Sequence, residues 1–282
     1  MNRIGMLKKS TGTLLLLLLL WSGGLAQSEQ EVSVGKGNPV LNRYLTSSLG
    51  SRSVRLKDDH MSPMNYFGGM ITPGFGIIKE RARSISRFDL LFNIGSIRSR
   101  NATELRPMRG DYFRLDIQYA YLRYIKEIGE GKYRWFVGGK FRSHANVRLN
   151  EQLDTGFITF IFTNGLSFST ALQRDFQLFN RKFIAFYQVD IGVLSHVVRP
   201  NYLNIFNYLD PENDWLEERL RDSDWLTIGK FNSIKSQLEI AYPIKAGNMI
   251  KFSYGWDFYS LNNKLKAKGA SHEFLFTFMF NF

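Results

Sequence analysis

The 282-residue sequence contains no cysteine. That excludes a disulfide framework and thiolate chemistry, so an exported form of this chain has to hold itself together by hydrogen bonding and packing. Proline is scarce, with 7 residues, and few positions therefore withhold a donor from a β-ladder. Histidine is scarcer still, at 4. The sequence has no metal-ligand spacing, no Gly-rich phosphate loop and no catalytic elbow, so neither a metal nor a cofactor is expected. Past the N-terminal region there is also no apolar run of the roughly 20 residues that a membrane helix requires, although 15% of the residues are aromatic.

At the N-terminus, Arg3, Lys8 and Lys9 precede an apolar run from Leu14 to Trp21, followed by Ser22, Gly23, Gly24, Leu25 and Ala26. A basic region, a short hydrophobic core and small residues, in that order, form a cleavable secretory signal. Residues 1–26 are read as that signal, cut near Ala26, because the run is too short for a retained anchor. Removing its three basic residues lowers the formal net charge of +12 by three, to +9. A basic balance suits nucleic acid, but an exported chain rarely meets any, and none is expected as a partner. An anionic partner at the surface is the more natural counter-charge, with solvated loops and turns as the plain alternative.

What the sequence has in abundance is alternation. Phe274, Phe276, Phe278, Phe280 and Phe282 occupy every second position at the C-terminus, the period of a strand with one greasy face. Phe88, Leu90, Phe92 and Ile94 repeat the pattern, as do Phe113, Leu115, Ile117, Tyr119 and Tyr121. It recurs at Tyr133, Trp135, Val137 and Phe141, at Ile158, Phe160, Phe162, Leu166 and Phe168, and at Tyr187, Val189, Ile191 and Val193. Ile234, Leu238, Ile240 and Tyr242, and then Ile250, Phe252, Tyr254, Trp256 and Phe258, complete the set. A β-sandwich also alternates, but its apolar face is rich in Val and Leu. A face of Phe, Tyr and Trp suits lipid and its interfaces.

The Phe-terminated last strand resembles the closing strand and assembly signal of Gram-negative outer-membrane β-barrels. That resemblance covers residues 65–282 and implies location, not activity. It implies an all-β, transmembrane, antiparallel up-and-down barrel in the outer membrane, inserted with the barrel assembly machinery and in contact with outer-membrane lipid and lipopolysaccharide. We expect ten strands. Eight, with residues 27–64 as a lumenal plug, and twelve, with a hairpin at Asn164-Gly165, bracket that number. Residues 40–55 and 65–79 form the less regular first pair, blurred by Pro63, Pro73 and several glycines, with Asp58-Asp59-His60 as the loop between them.

Short links at 127–132, 180–182 and 245–248 alternate with long ones at 99–110, 148–155, 200–225 and 262–270. Outer-membrane barrels keep short turns in the periplasm and long loops outside, so the last strand is expected to run toward the periplasm. In the longest link, Asp210-Pro211-Glu212 offers a helix start, and Trp215, Leu216 and Leu220 give a short apolar stripe. Its seven acidic residues lack the spacing of a calcium loop.

With the aromatics outward, Arg114, Asp116, Arg134, Lys140, Arg142, Asp190, Lys235, Glu239, Lys251 and Asp257 point inward, together with Arg87, Asp89 and Glu273. Charges withdrawn from water need partners, and a barrel of this size is narrow enough for side chains to fill. A salt-bridge network across the lumen is the expectation. His144 and His196 share the inward parity and sit near the outer strand ends, which makes them the candidates for general-base chemistry. Ser143 and Ser195 precede them but face the other way. The function expected is a non-enzymatic one: a scaffold, a surface-binding protein, or a component of envelope transport or assembly with an envelope protein as partner. An enzyme acting on lipid or protein at the barrel mouth is the rival, and a narrow solute or lipid conduit the third option.

Overall fold

The structure is a computed structural model that describes residues 42–59, 62–99, 109–149, 158–199, 223–262 and 266–282. The secretory signal, the proposed plug residues before 42 and the helix start at Asp210 lie outside these residues. The strands are Asn42–Asp58 (β1), Ser62–Arg81 (β2), Ser84–Ser99 (β3), Arg109–Ile128 (β4), Tyr133–Leu149 (β5), Ile158–Leu178 (β6), Arg181–Val198 (β7), Ser223–Thr227 (β8), Phe231–Pro243 (β9), Met249–Leu261 (β10) and Ala267–Asn281 (β11). All neighbours pair antiparallel, β6 meets β7, and β1 meets β11, so the sheet closes on itself.

β8 and β9 are one crossing with an interruption. β8 pairs with β7 at Leu194–Val198, and β9 continues along the same neighbour at Ile184–Ile191. Between them Ile228–Lys230 leaves the ladder in a tight excursion, with Gly229 at φ 100, a backbone region where a side chain is strained. Asn232 and Asn262 bond to Gly229, and the Asn262 N–H donates to the Lys230 carbonyl at 2.7 Å. The barrel thus crosses ten times, as an all-β, up-and-down antiparallel architecture. β6 runs unbroken through Asn164-Gly165, which corrects the hairpin considered there: both residues pair with β5 and β7 throughout.

Short connections cluster at one end, called here the turn end. Phe179 and Asn180 both have positive φ, 48° and 56°, the backbone of a two-residue hairpin whose twist matches its strands. Gly129, Glu130 and Gly131 turn β4 into β5, and a single 3-10 turn over Lys245–Gly247 links β9 to β10. The longer links sit at the opposite, loop end, together with the three-residue link from β1 to β2.

The outer wall is apolar. Ile71, Phe75, Phe92, Ile94, Phe113, Phe168, Ile191, Leu238, Phe252, Phe274, Phe276 and Phe278 each leave 39–64% of their surface uncovered. A water-soluble monomer does not carry a continuous belt of this kind, whereas strands of 13–21 residues exceed the roughly 9–11 that cross a bilayer.

Two local features show how the sequence accommodates closure. Pro73 has no N–H to give, and the β2–β3 ladder passes from Ile71 opposite Ile94 directly to Gly74 opposite Leu91. Across that gap the Thr72 hydroxyl donates to Asn93 Oδ1 at 3.0 Å. On the inner wall Tyr259 lies over its cross-strand partner Gly269, where a Cβ would come within 2.3 Å of the ring. Only glycine leaves the space for that ring.

Candidate functional site

Inside the wall, the residues on the opposite parity form layers. At the loop end Val54, Leu56, Tyr66, Met70, Ile97 and Tyr112 pack on one side. Ile161, Val197, Leu226, Phe231, Leu261 and Ala267 pack on the other. At the turn end Ile85, Leu122, Phe136, Ala171 and Phe186 form one cluster, and Tyr44, Ile78 and Met279 another. Sequence periodicity assigned such residues no place in the lumen, because it sorted apolar side chains to the lipid face.

Between these apolar layers lies the charged middle. Asp116 is fully buried and accepts from Arg114 at 2.8 Å through both Nε and Nη2, from Arg52 at 2.9 Å and from Arg142 at 3.3 Å. Arg142, on β5, also reaches Asp257 on β10 at 2.9 and 2.6 Å. Arg52 stands between carboxylates, with Asp257 at 3.6 Å and Glu273 at 3.5 Å. Lys140 donates to Asp190 at 3.0 Å, and Ser169 and Gln188 complete that carboxylate's shell. Lys235 reaches Gln118 at 3.3 Å and Glu273 at 3.9 Å. Charges this far from water survive only with such partners.

Two smaller charge groups lie at the ends. Near the turns Arg87 and Lys251 converge on Glu239 at 2.8 and 3.1 Å, and the Arg87 guanidinium lies 4.0 Å from the Phe186 ring centre. Arg134 sits near this group as a neighbour of Glu80. A cavity of about 20 Å³ adjoins it, lined in part by Glu80, Gln173 and Met249, room for about one water. Near the loops Asp58 takes Arg148 at 2.5 Å and Arg199 as well. This corrects the placement of Asp58 in a loop. It closes β1 with its side chain buried, on the same inward parity as Arg52, Val54 and Leu56.

The structure therefore brings Arg114, Asp116, Arg142 and Asp257 into one cluster, Lys140 and Asp190 into a second contact, and Glu239 and Lys251 into a third. The principal omission is Arg52, which contacts three carboxylates and is 2% exposed. Its parity with Tyr44, Thr46, Val54 and Leu56 is visible in the sequence once β1 is accepted as a strand. The lipid face of β1 hides it, since Ser47, Ser51, Ser53, Arg55 and Lys57 break the aromatic pattern.

The histidines separate. His144 faces inward beside Asp116 on the neighbouring strand, and its buried Nδ1 has no hydrogen-bond partner among the described residues. His196 faces outward, which corrects its inward assignment. The β6–β7 register shifts between Leu166 and Ser167, opposite the bulged Val193, and one extra residue reverses every later side chain. Ser195 is consequently the lumenal residue, 4% exposed, and His196 packs on Trp225 with ring centres 4.9 Å apart.

The last strand has its rings outward: Phe274 meets Phe252 and Tyr254 on β10, Phe276 meets Phe278 edge to face, and Phe278 stacks on Phe280. The Phe282 N–H donates to the Arg43 carbonyl at 3.1 Å.

No protein-family model matches the chain, and no curated protein sequence does. Comparison with solved structures finds outer-membrane barrels at low identity. The beta domain of the Bordetella autotransporter BrkA is 12% identical over 85% of this chain and 100% of that one, with a TM-score of 0.35. The translocator domain of autotransporter NalP from Neisseria meningitidis is 7% identical over 98% of each chain, at 0.34. An outer membrane channel from Pseudomonas putida F1 is 10% identical over 89% of this chain and 100% of that one, at 0.30.

Proposed function

We propose that this chain is an exported outer-membrane barrel of a Gram-negative envelope that acts through its surfaces, as a scaffold or binding protein, and does not conduct solutes. The observation that carries this reading is the filled lumen. Arg52, Asp116, Asp257, Lys235, Glu239 and Glu273 are each 5% exposed or less, and apolar clusters lie at both ends of the charged middle. A water-filled pore would wet those charges. In this reading the signal is cut near Ala26, the turn end faces the periplasm and the loop end faces outward. The rival enzyme at the mouth would draw on His144 and His196, which lie on opposite sides of the wall.

Reconstitution into planar lipid bilayers tests the reading. The purified protein is expected to insert without stepwise conductance. Steady, salt-proportional steps at the single-molecule level would overturn the sealed lumen and promote the conduit.

A further inference from the structure

Among the described residues, the outward face at the loop end gathers cations along the β11–β4 wall. Arg55, Phe67, Arg98 and Arg109 lie on consecutive strands β1 to β4 and are direct cross-strand partners, so they form a single row. All three arginines are exposed or nearly so, and the Arg98 guanidinium lies 4.8 Å from the Phe67 ring centre. One step nearer the loops Lys57 stands directly opposite Lys268 on β11. Among the described residues, the acids on this surface are Asp59, 3.9 Å from Lys57, and Asp111, two residues along β4 from Arg109. On the adjoining wall, β5 to β7, the described outward positions at the same end hold Ala145, Val147, Leu149, Phe160, Phe162 and Val198, without a lysine or arginine.

Like charges placed directly opposite on a sheet repel. Lys57 with Lys268 is such a pair, and Arg55 and Arg98 stand one row below it on β1 and β3. An anion with more than one charge relieves the pair and reaches both arginines. Below the arginine row runs a row of small side chains, Ser53, Gly69 and Ser96, with open space around Gly69. Below that the apolar band begins at Ile71, Ile94 and Phe113. From Ile94 to Arg98 is about 13 Å along the strand, or roughly 10 Å along the membrane normal at a tilt near 40°. The headgroup layer adds roughly 5–8 Å on each side of the hydrocarbon core, so the arginine row lies at the outer margin of that layer.

We infer that the β11–β4 wall binds a phosphorylated glycolipid of the outer leaflet. Its phosphates lie on Arg55, Arg98, Lys57 and Lys268, its sugar in the Ser53–Gly69–Ser96 trough and its acyl chains on the band beneath. The inference rests on the outer-membrane orientation proposed above and names the partner of that surface: lipopolysaccharide, through the phosphates of its lipid anchor.

The test uses the full protein, extracted from outer membranes in mild detergent, with retained phosphorylated lipid A quantified by mass spectrometry. The R55Q/R98Q and K57Q/K268Q variants are each expected to retain at least about tenfold less than the parent, and R55K/R98K to retain most of it. Gly69→Leu, which fills the trough without altering charge, is expected to weaken retention as well. K132Q/K182Q, at the turn end, is the control and should leave it unchanged. Heat-dependent gel mobility verifies that each variant is folded, and the R55K/R98K and Gly69→Leu variants keep the test decisive where a neutralised pair fails to fold. Equal retention by the folded glutamine variants overturns the inference. So does equal binding of dephosphorylated lipid A, or displacement of the lipid by inorganic pyrophosphate or an acidic peptide at matched concentration. Parent protein absent from the outer membrane sinks the location reading instead, whereas inserted protein that holds no phosphorylated lipid A sinks this inference alone.

Discussion

Arg142 and Asp257 meet in a two-point contact across the lumen, 2.9 and 2.6 Å, although 115 residues separate them. Each is also shared: Arg142 with Asp116, and Asp257 with Arg52 and Arg114. Parallel N–H bonds to one carboxylate fix geometry as well as charge, so this contact ties β5 to β10 through the centre of the barrel.

Asp257→Ala is therefore expected to destabilise the folded barrel by about 3–5 kcal/mol, since it strands buried guanidiniums. Replacing both partners, in R142L/D257L, should cost less than the two single changes together. Urea unfolding in lipid vesicles measures both. A cost within experimental error for Asp257→Ala would mean that the middle of the lumen is wetted.

Gly269→Val sets a branched side chain against the Tyr259 ring, where even a Cβ comes within 2.3 Å. Overpacking of this kind costs about 1–3 kcal/mol, and adding Tyr259→Ala should recover most of it. The same vesicle unfolding assay reads the pair, and an unrelieved double variant would show that the strain has another source.

The bulge at Val193 makes a prediction that the absence of cysteine renders easy to check. A single Ser195→Cys variant should resist lipid-soluble maleimides, because that position is 4% exposed in the lumen. His196→Cys, on the outer wall beside Trp225, should label. The reverse pattern would mean that β7 keeps its alternation unbroken.

Phe280 lies on the lipid face stacked on Phe278, so Phe280→Asp is expected to lower the fraction of chains that insert, with deletion of Phe282 acting in the same direction. A charge on the lipid face costs up to about 2–4 kcal/mol for basic residues at midplane, less for acidic ones and less near an interface. Heat-dependent gel mobility of membrane fractions gives the folded proportion. Full insertion of both variants would remove the assembly role from this strand.

The strands whose outward residues are Phe, Tyr, Trp or Ile were legible in the sequence, since period two and ring chemistry agree at Phe88–Ile94, Phe113–Tyr121 and Phe274–Phe282. β1 was less so because its outward side changes character along its length, from Leu45 and Leu49 to Arg55 and Lys57. The break between β8 and β9 leaves no periodic mark, as Ile228 and Trp225 read as ordinary apolar residues. His196 shows the limit most clearly. Parity propagates without loss along a regular strand, but one bulged residue inverts it, and Gly192 beside Val193 is a weak bulge signal that recurs at unbulged glycines such as Gly138 and Gly255. The ion contacts had a similar boundary: alternation says which side of the wall Arg142 occupies, and only closure brings Asp257 to it.

The β1–β11 seam has a consequence for how the barrel forms. Tyr44 pairs with Asn281, Asp58 with Ala267, and Ser48 meets Thr277 at 2.9 Å across a sequence separation of 229. Contacts so remote in the chain carry the largest loop-closure entropy and favour slow folding. Hairpins such as β6–β7, joined by two residues, nucleate without waiting for them. Until the β1–β11 ladder forms, the sheet has two open edges, one of them the phenylalanine-bearing β11, and an open edge is where another chain can add. The last ladder to form determines how long the danger lasts.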